Sequence, residues 1–263
     1  MMGYVILTVF RDKKLKKAIA VFVSSVASTL LIMFVIGAFY GQGGYTDGGF
    51  GFYASNLNTF FDSRGLSKFL LPLNSFDGQG EGFGYLGLGM IVCTILALIV
   101  LFSLIEKKEG SFFSAAKALI KKYNVEILAF AVVFMVGFCW AVSNRITLNG
   151  RLLLEIPLPY LVRGCLSIFR ASGRFIWVPG VLIITASLGL ISKLNKKTAI
   201  AAAALCFLIQ GMDIRDWCRI LHSQYGQPPA YEYALKDEKW DELTKDTKEI
   251  IFLPMKDAYG LYM

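Results

Sequence analysis

Three arginines pose the first chemical question in this chain. Arg163, Arg170 and Arg174 lie in the segment Pro159–Arg174, just before an apolar block. Wound as an α-helix at about 100° per residue, they fall within about 40° of one another, with Ser167 between them. Leu161, Cys165, Ile168 and Phe169 turn the other way. The pattern predicts an amphipathic helix lying in a membrane interface, with an arginine stripe about 16 Å long. Guanidinium forks match phosphate oxygens, so the stripe is a candidate clamp for an anionic headgroup such as a lipid-linked phosphate or pyrophosphate. Two blander readings stay open: snorkelling to ordinary lipid phosphates, and pairing with carboxylates of the tail. Gly164 and Gly173 are also placed to interrupt the helix.

A second group sits in residues 41–84. That stretch opens with Gly41-Gln42-Gly43-Gly44, carries Asp47, and runs through Gly51, Tyr53, Ser55 and Asn56 to Gly78-Gln79-Gly80-Glu81-Gly82-Phe83-Gly84-Tyr85. Glycines allow tight turns and close backbone approach, and the interleaved aromatics offer faces on which a sugar could stack. Glu81 lies within a few residues of an apolar block, where a carboxylate is costly unless solvated or paired. Base, hydroxyl acceptor and metal ligand are all open to it, as is a salt bridge to one of the arginines within a re-entrant loop. The glycine pattern matches no P-loop, and GxGxxG needs a preceding strand.

A third group is Gln210 and Asp213, with Asp216 one turn on. The two carboxylates would share a helix face, so a shared cation or simply a solvated helix exit is expected there. Elsewhere the signals are weak. His222 has no Cys, His or carboxylate at ligand spacing, and the five cysteines contain no CxxC; no metal site is expected and no cofactor is specified.

The elements that must position these groups are read from hydropathy. The 263 residues are 56% hydrophobic and 17% charged, with a mean hydropathy of +0.56. A soluble domain carries about a quarter charged residues. A bilayer core of about 30 Å takes roughly 20 helical residues. Ala18–Tyr40, Tyr85–Ile105, Val125–Ser143, Phe175–Ile191 and a short alanine-rich Thr198–Met212 are predicted spans. Glu126 lies at the edge of the third, and Pro179-Gly180 interrupts the fourth. Met1–Phe10 is half a span, either the end of a helix that starts earlier or an interfacial anchor. The net charge of +8 sits at block ends, which reads as membrane topology and not as a nucleic-acid face.

Short loops 11–17, 106–122 and 192–197 hold five, five and three Lys or Arg, so that side is expected to be cytoplasmic. Loop 41–84, with two, obeys the rule on the other side. Loop 144–174 breaks it, with Arg145, Arg151, Arg163, Arg170 and Arg174 against Glu155. Residues 213–263 form a polar tail, expected to be extracytoplasmic, with a helix over Lys236–Lys248 and a strand over Glu249–Leu253.

The runs Gly51–Leu57, Gly78–Gly89 and Phe169-Arg170-Ala171-Ser172-Gly173-Arg174-Phe175-Ile176-Trp177, followed by Gln210…Asp213, resemble a bacterial family of multi-pass membrane proteins of unknown function that look like GT-C glycosyltransferases. The similarity covers about residues 40–255. It implies an all-α, GT-C-like membrane bundle over 1–212 with the start of a small α/β domain over 213–263. It also implies a bacterial inner-membrane location, a polyprenyl-phosphate sugar as donor and cell-envelope glycans as acceptor. In GT-C enzymes the catalytic carboxylate usually sits in a first extracytoplasmic loop, which this chain does not contain. A fragment, inactive without the preceding helices of the same protein, is therefore the expectation.

On this reading the partners are membrane lipids and a lipid-linked sugar. The substrate-binding candidates are Arg163, Arg170, Arg174, Glu81, Gln79, Tyr85, Asn56 and Asp213. The alternative is a non-catalytic flippase-like or scaffold component for the same glycans. A secondary transporter fits less well, because the spans lack midplane ionisable groups and paired broken helices.

Overall fold

A computed structural model describes residues 2–36, 49–106, 112–159, 162, 166, 171–226 and 238–247. The fold is mostly helical. Its helices are α1 (Met2–Ile6, continued by a π-turn to Arg11), α2 (Leu15–Val35), α3 (Leu88–Glu106), α4 (Phe112–Lys122), α5 (Asn124–Val142), α6 (Trp177–Ile191), α7 (Lys196–Asp213) and α8 (Arg215–Tyr225). Among the described residues, four helical stretches are long and apolar enough to cross a membrane: Leu15–Val35, Leu88–Ile105, Asn124–Val142 and Ser172–Ile191. The bent pair α7 and α8, broken at Ile214 with a 55° change of direction, passes the same test as one interrupted span. The large apolar side chains Leu31, Ile32 and Val35 of α2 are exposed, which suits hydrocarbon and not water.

Each observed span lies within a few residues of its expected position. Tyr85–Gly87 stays outside α3 because Gly87 has a φ of +84° that no helix accommodates. Pro179 costs α6 nothing. The helix begins only at Trp177, after a 3-10 turn over Ser172–Ile176, so the proline stands in the first turn, where an amide hydrogen has no helical partner. Asn195 caps α7 by accepting from the Thr198 amide at 3.0 Å.

Close packing runs through two clusters. Cys93, Ala97 and Val100 of α3 meet Ile191 of α6 and Cys206 of α7, with Ala199 and Ala202 alongside. These small side chains let the backbones approach. Across α3 and α6 the Ser187 hydroxyl lies 3.1 Å from that of Thr94. The second cluster joins Phe60, Ala141 and Ile176 with Phe134, Phe138 and Ile183, and lies where the membrane helices α5 and α6 meet the polar loops.

The all-helical expectation needs one correction. Arg145–Leu148 (β1) and Arg151–Glu155 (β2) form an antiparallel hairpin, with a register shift between Ile146 and Thr147. Its turn is Asn149-Gly150, with φ of 49° and 73°. Two positive φ values in a two-residue turn match the right-handed twist of the strands, and Asn-Gly is the dipeptide that accepts them most readily. Asn149 Oδ1 also accepts from the Asn74 amide at 2.9 Å, seating the hairpin tip on the 49–87 loop.

The chain divides into two compact units, residues 1–220 and 221–263. In the second, Glu238–Thr244 (α9) falls inside the predicted tail helix. The predicted strand over Glu249–Leu253 lies outside the described residues.

Candidate functional site

The loops at one end of the bundle are held together by backbone-to-backbone contact at glycines. The carbonyl of Gly82, in a 3-10 turn over Gln79–Gly82, accepts from the Ser55 and Thr59 hydroxyls, each at 2.8 Å. On its other face lies Gly173, whose amide donates to the Tyr53 carbonyl at 3.0 Å. A Cβ on Gly82 would come within 2.5 Å of Ser55 Cα, and one on Gly173 within 2.6 Å of Gly82 Cα. Three chain segments therefore stack with no room for a side chain. The Ser55 amide donates to Ala141 at the end of α5, and the Leu57 amide donates to Thr147 on β1.

This stack places Glu81 and Arg174 side by side. Arg174 Nε and Nη2 lie 2.7 and 2.6 Å from Glu81 Oε2. Both side chains remain substantially exposed. Of the three stripe arginines, only Arg174 falls on described residues; Arg163 and Arg170 lie outside them. Arg174 does not continue a helix from Pro159. Ala171 has φ −102° and ψ 68°, which breaks any such helix before the 3-10 turn that carries Arg174.

Asp213 holds the same loops from α7. Its side chain is fully buried. One carboxylate oxygen takes the Ser67 hydroxyl; the other takes the Tyr85 hydroxyl at 2.7 Å and the Leu88 amide at 3.1 Å. Its backbone carbonyl accepts from the Lys68 amide at 2.8 Å. Burial, together with the neighbouring Asp213 carboxylate, pushes the Tyr85 hydroxyl up to about 12, so it stays a donor. Gln210, one turn earlier, fills the space left by Gly87 and Gly89. Asp213 and Tyr85 thus position the loops, and neither Asp213 oxygen is left without a protein donor. Asp213 and Asp216 do not share a helix face as expected, because Ile214 breaks the helix between them: Asp213 is buried where a solvated helix exit was expected, and Asp216 lies 3.7 Å from Arg219.

Gln79 and Asn56 are buried as well. Gln79 donates to the Thr147 hydroxyl at 2.7 Å and accepts from the Phe76 amide at 3.0 Å, which ties the 3-10 turn to β1. Asn56 donates to the Asn74 carbonyl at 3.3 Å, and its Oδ1 makes no hydrogen bond among the described residues.

Three hollows surround this cap. An open polar groove of about 670 Å³ is lined by Tyr53, Arg64, Ser75, Asp77, Gly80 and Glu81. An apolar groove of about 270 Å³ lies on the flank of α6, between Phe83 and Leu86 on one side and Trp177, Gly180, Val181 and Ile184 on the other. The helical residues recur every three to four positions and so share one face. Trp177 Nε1 donates to the Phe83 carbonyl at 3.2 Å, which ties the two walls of that groove together. A third cavity, of about 230 Å³, is bounded by Gly51, Phe52, Phe76, Gln79, Arg145 and Thr147.

Arg64, Arg145, Asp77, Phe52, Phe76 and Trp177 were not among the expected site residues. For Arg145 the signal was available in the Asn149-Gly150 turn, which places it on a strand. Arg64 offered none: it adopts a left-handed φ of 47° that its residue type does not suggest.

Residues 1–215 match a family model described as Domain of unknown function (DUF6311). The chain belongs to that family. No curated protein and no solved structure matches it. The DUF6311 match begins well ahead of residue 40 and stops short of 255. It takes in the glycine stack, the Glu81–Arg174 pair and Asp213.

Proposed function

We propose that this chain handles a lipid-linked sugar at the membrane surface, as a GT-C-like glycosyltransferase or a part of one. The observation that carries the reading is that two unlike grooves are lined by neighbouring residues of one turn. Gly80 and Glu81 line the polar groove, and two residues further along the chain Phe83 lines the apolar groove on the flank of α6. Arg174, paired with Glu81, stands three residues before Trp177 of the apolar groove. A molecule with a phosphate-linked polar head and a long hydrocarbon tail has this shape. Its head would meet Arg64, Arg174 and the hydroxyl-accepting carboxylates Glu81 and Asp77, and its tail would lie along Trp177, Val181 and Ile184. A polyprenyl-phosphate sugar, with the outer leaflet of a bacterial inner membrane as its place, fits this description and the family resemblance together.

A second reading has its own support. Glu81 is engaged by Arg174 in an ion pair, which favours a positioning role and hence a non-catalytic carrier or scaffold for the same lipid.

The test is polyprenyl-phosphate binding by the full-length protein in nanodiscs. Val181 is exposed, so Val181→Trp fills the apolar groove without entering the core. It is expected to weaken binding of a long-chain polyprenyl phosphate while leaving binding of a short-chain, water-soluble analogue intact. Equal loss for both, or no loss for either, removes the tail groove from the reading. Arg174→Gln is expected to weaken both ligands.

A further inference from the structure

We infer that the cavity beside β1 is a second sugar site, binding an uncharged pyranose ring. It meets the polar groove only at Phe76 and Asp77, and neither Glu81 nor Arg174 lines it. At about 230 Å³ it is below the roughly 300–1,000 Å³ usual for small-molecule sites, which suits a single ring.

Its walls carry hydrogen-bonding groups. Arg145 lines it with 35% of its side chain exposed, and Glu155 Oε1, an ion-pair partner 3.8 Å from its Nε, is beyond hydrogen-bond reach. Next to it in the chain, Asn144 Oδ1 is enclosed behind the wall. A Cβ on Gly51 would come within 2.7 Å of Asn144 Oδ1 and 3.4 Å of the Arg145 side chain, so the missing Gly51 side chain is what lets both groups sit there. The Thr147 hydroxyl accepts from Gln79 and therefore has its own proton to donate. Asp77, exposed at the mouth, is an acceptor. Phe52 and Phe76 supply apolar faces, and Phe52 is held rigidly over Gly78 and edge-on to Tyr53, 4.9 Å between ring centres. Donors, acceptors and aromatic faces around a ring-sized space are the make-up of a carbohydrate site.

The local charge selects against an anion. One guanidinium, Arg145, is offset by the carboxylates of Asp77 and Glu155, so a phosphate or uronate would meet net repulsion. The backbone is strained at the same place. Ser143, two residues before Arg145, has φ 61° and ψ −153°, a region costly for any residue but glycine. Strain of that kind is retained where the surrounding structure needs one geometry, here the turn from α5 that delivers Asn144 and Arg145.

A carrier requires one sugar site, whereas a transferase requires two. If the lipid-sugar reading holds, this cavity is where the acceptor sugar sits; the binding itself does not depend on that reading. Saturation-transfer NMR on the full-length protein in nanodiscs, with methyl hexopyranosides as probes, tests it. At least one neutral hexopyranoside is expected to receive saturation, and methyl glucuronide to receive less. Arg145→Gln and Asp77→Ala are each expected to weaken that probe by about tenfold or more. Both variants should retain wild-type elution and thermal stability, and Arg174→Gln should leave the signal unchanged. Absence of signal from every neutral probe overturns the proposal, as does wild-type binding by a folded Arg145→Gln protein. A protein that binds the hexopyranoside through Arg145 but does not bind polyprenyl phosphate supports the cavity and removes the lipid groove alone.

Discussion

Gly82 and Gly173, 91 positions apart, touch through their backbones, and a Cβ on Gly173 would fall 2.6 Å from Gly82 Cα. This contact sets where Glu81 and Arg174 stand. Neither neighbour can give way, because the atoms in contact belong to the main chain on both sides.

Gly173→Ala is therefore expected to cost about 3 kcal/mol, at the upper end of ordinary overpacking. Thermal unfolding of the detergent-solubilised protein, read by size-exclusion elution, checks it. Gly189→Ala is the control: nothing lies within 4 Å of its Cβ position, and it should stay within about 1 kcal/mol of wild type. Equal behaviour of the two variants would dispose of the stacking argument.

Asp213 should behave as a buried clasp. Removing its carboxylate strands the Tyr85 and Ser67 hydroxyls and the Leu88 amide, so Asp213→Ala is expected to lose about 3 kcal/mol or more. Tyr85→Phe, which deletes one of these donors, should lose less.

The same clasp has a pH signature. The Tyr85 hydroxyl has its pKa raised in the folded protein from 10.0 to about 12. The folded state therefore holds the proton more tightly than the unfolded chain. Its contribution to stability is complete below pH 10 and declines as pH rises from 10 towards 12. Subtracting the Tyr85→Phe profile from wild type isolates it, and parallel profiles across that window would contradict it.

The Glu81–Arg174 pair separates folding from binding. Exposed ion pairs contribute about 0.2–1 kcal/mol, so Glu81→Gln and Arg174→Gln should shift the unfolding temperature very little. Both are expected to reduce binding of the lipid phosphate markedly. A large stability loss with unchanged binding would make the pair a structural strut.

Sidedness is open to direct measurement. Loops 11–17 and 192–197, rich in lysine, and the Gln79–Gly82 turn lie at opposite ends of the spans. Single cysteines at Ser75 and at Lys193 in a cysteine-free background should be modified by an impermeant maleimide from opposite sides of the membrane, with Ser75 facing outward. Labelling of both from one side would break the alternation of the spans.

Much of this protein is set by composition alone. Spans Leu88–Ile105, Asn124–Val142 and Ser172–Ile191 were legible because bilayer thickness dictates a length, and uninterrupted apolar residues are the one pattern that meets it. Even the convergence of the glycine-rich run with Ser172–Trp177 was foreshadowed by residue type, since Gly82 and Gly173 mark places where backbone approaches backbone. A salt bridge from Glu81 to one of the arginines was expected and is found, with Arg174 as the partner. The other partners were not legible: no periodicity connects Gln79 to Thr147, or Asp213 to Ser67, Tyr85 and Leu88, because each bond joins groups brought together only when separate elements pack. The hairpin around Asn149-Gly150 does not follow from hydropathy, because Arg145 and Arg151 read as loop charges although each begins a strand. Burial decided the remainder: Asp213 and Gln79 have the chemistry of ligand-binding residues, but packing encloses them and directs their hydrogen bonds inward.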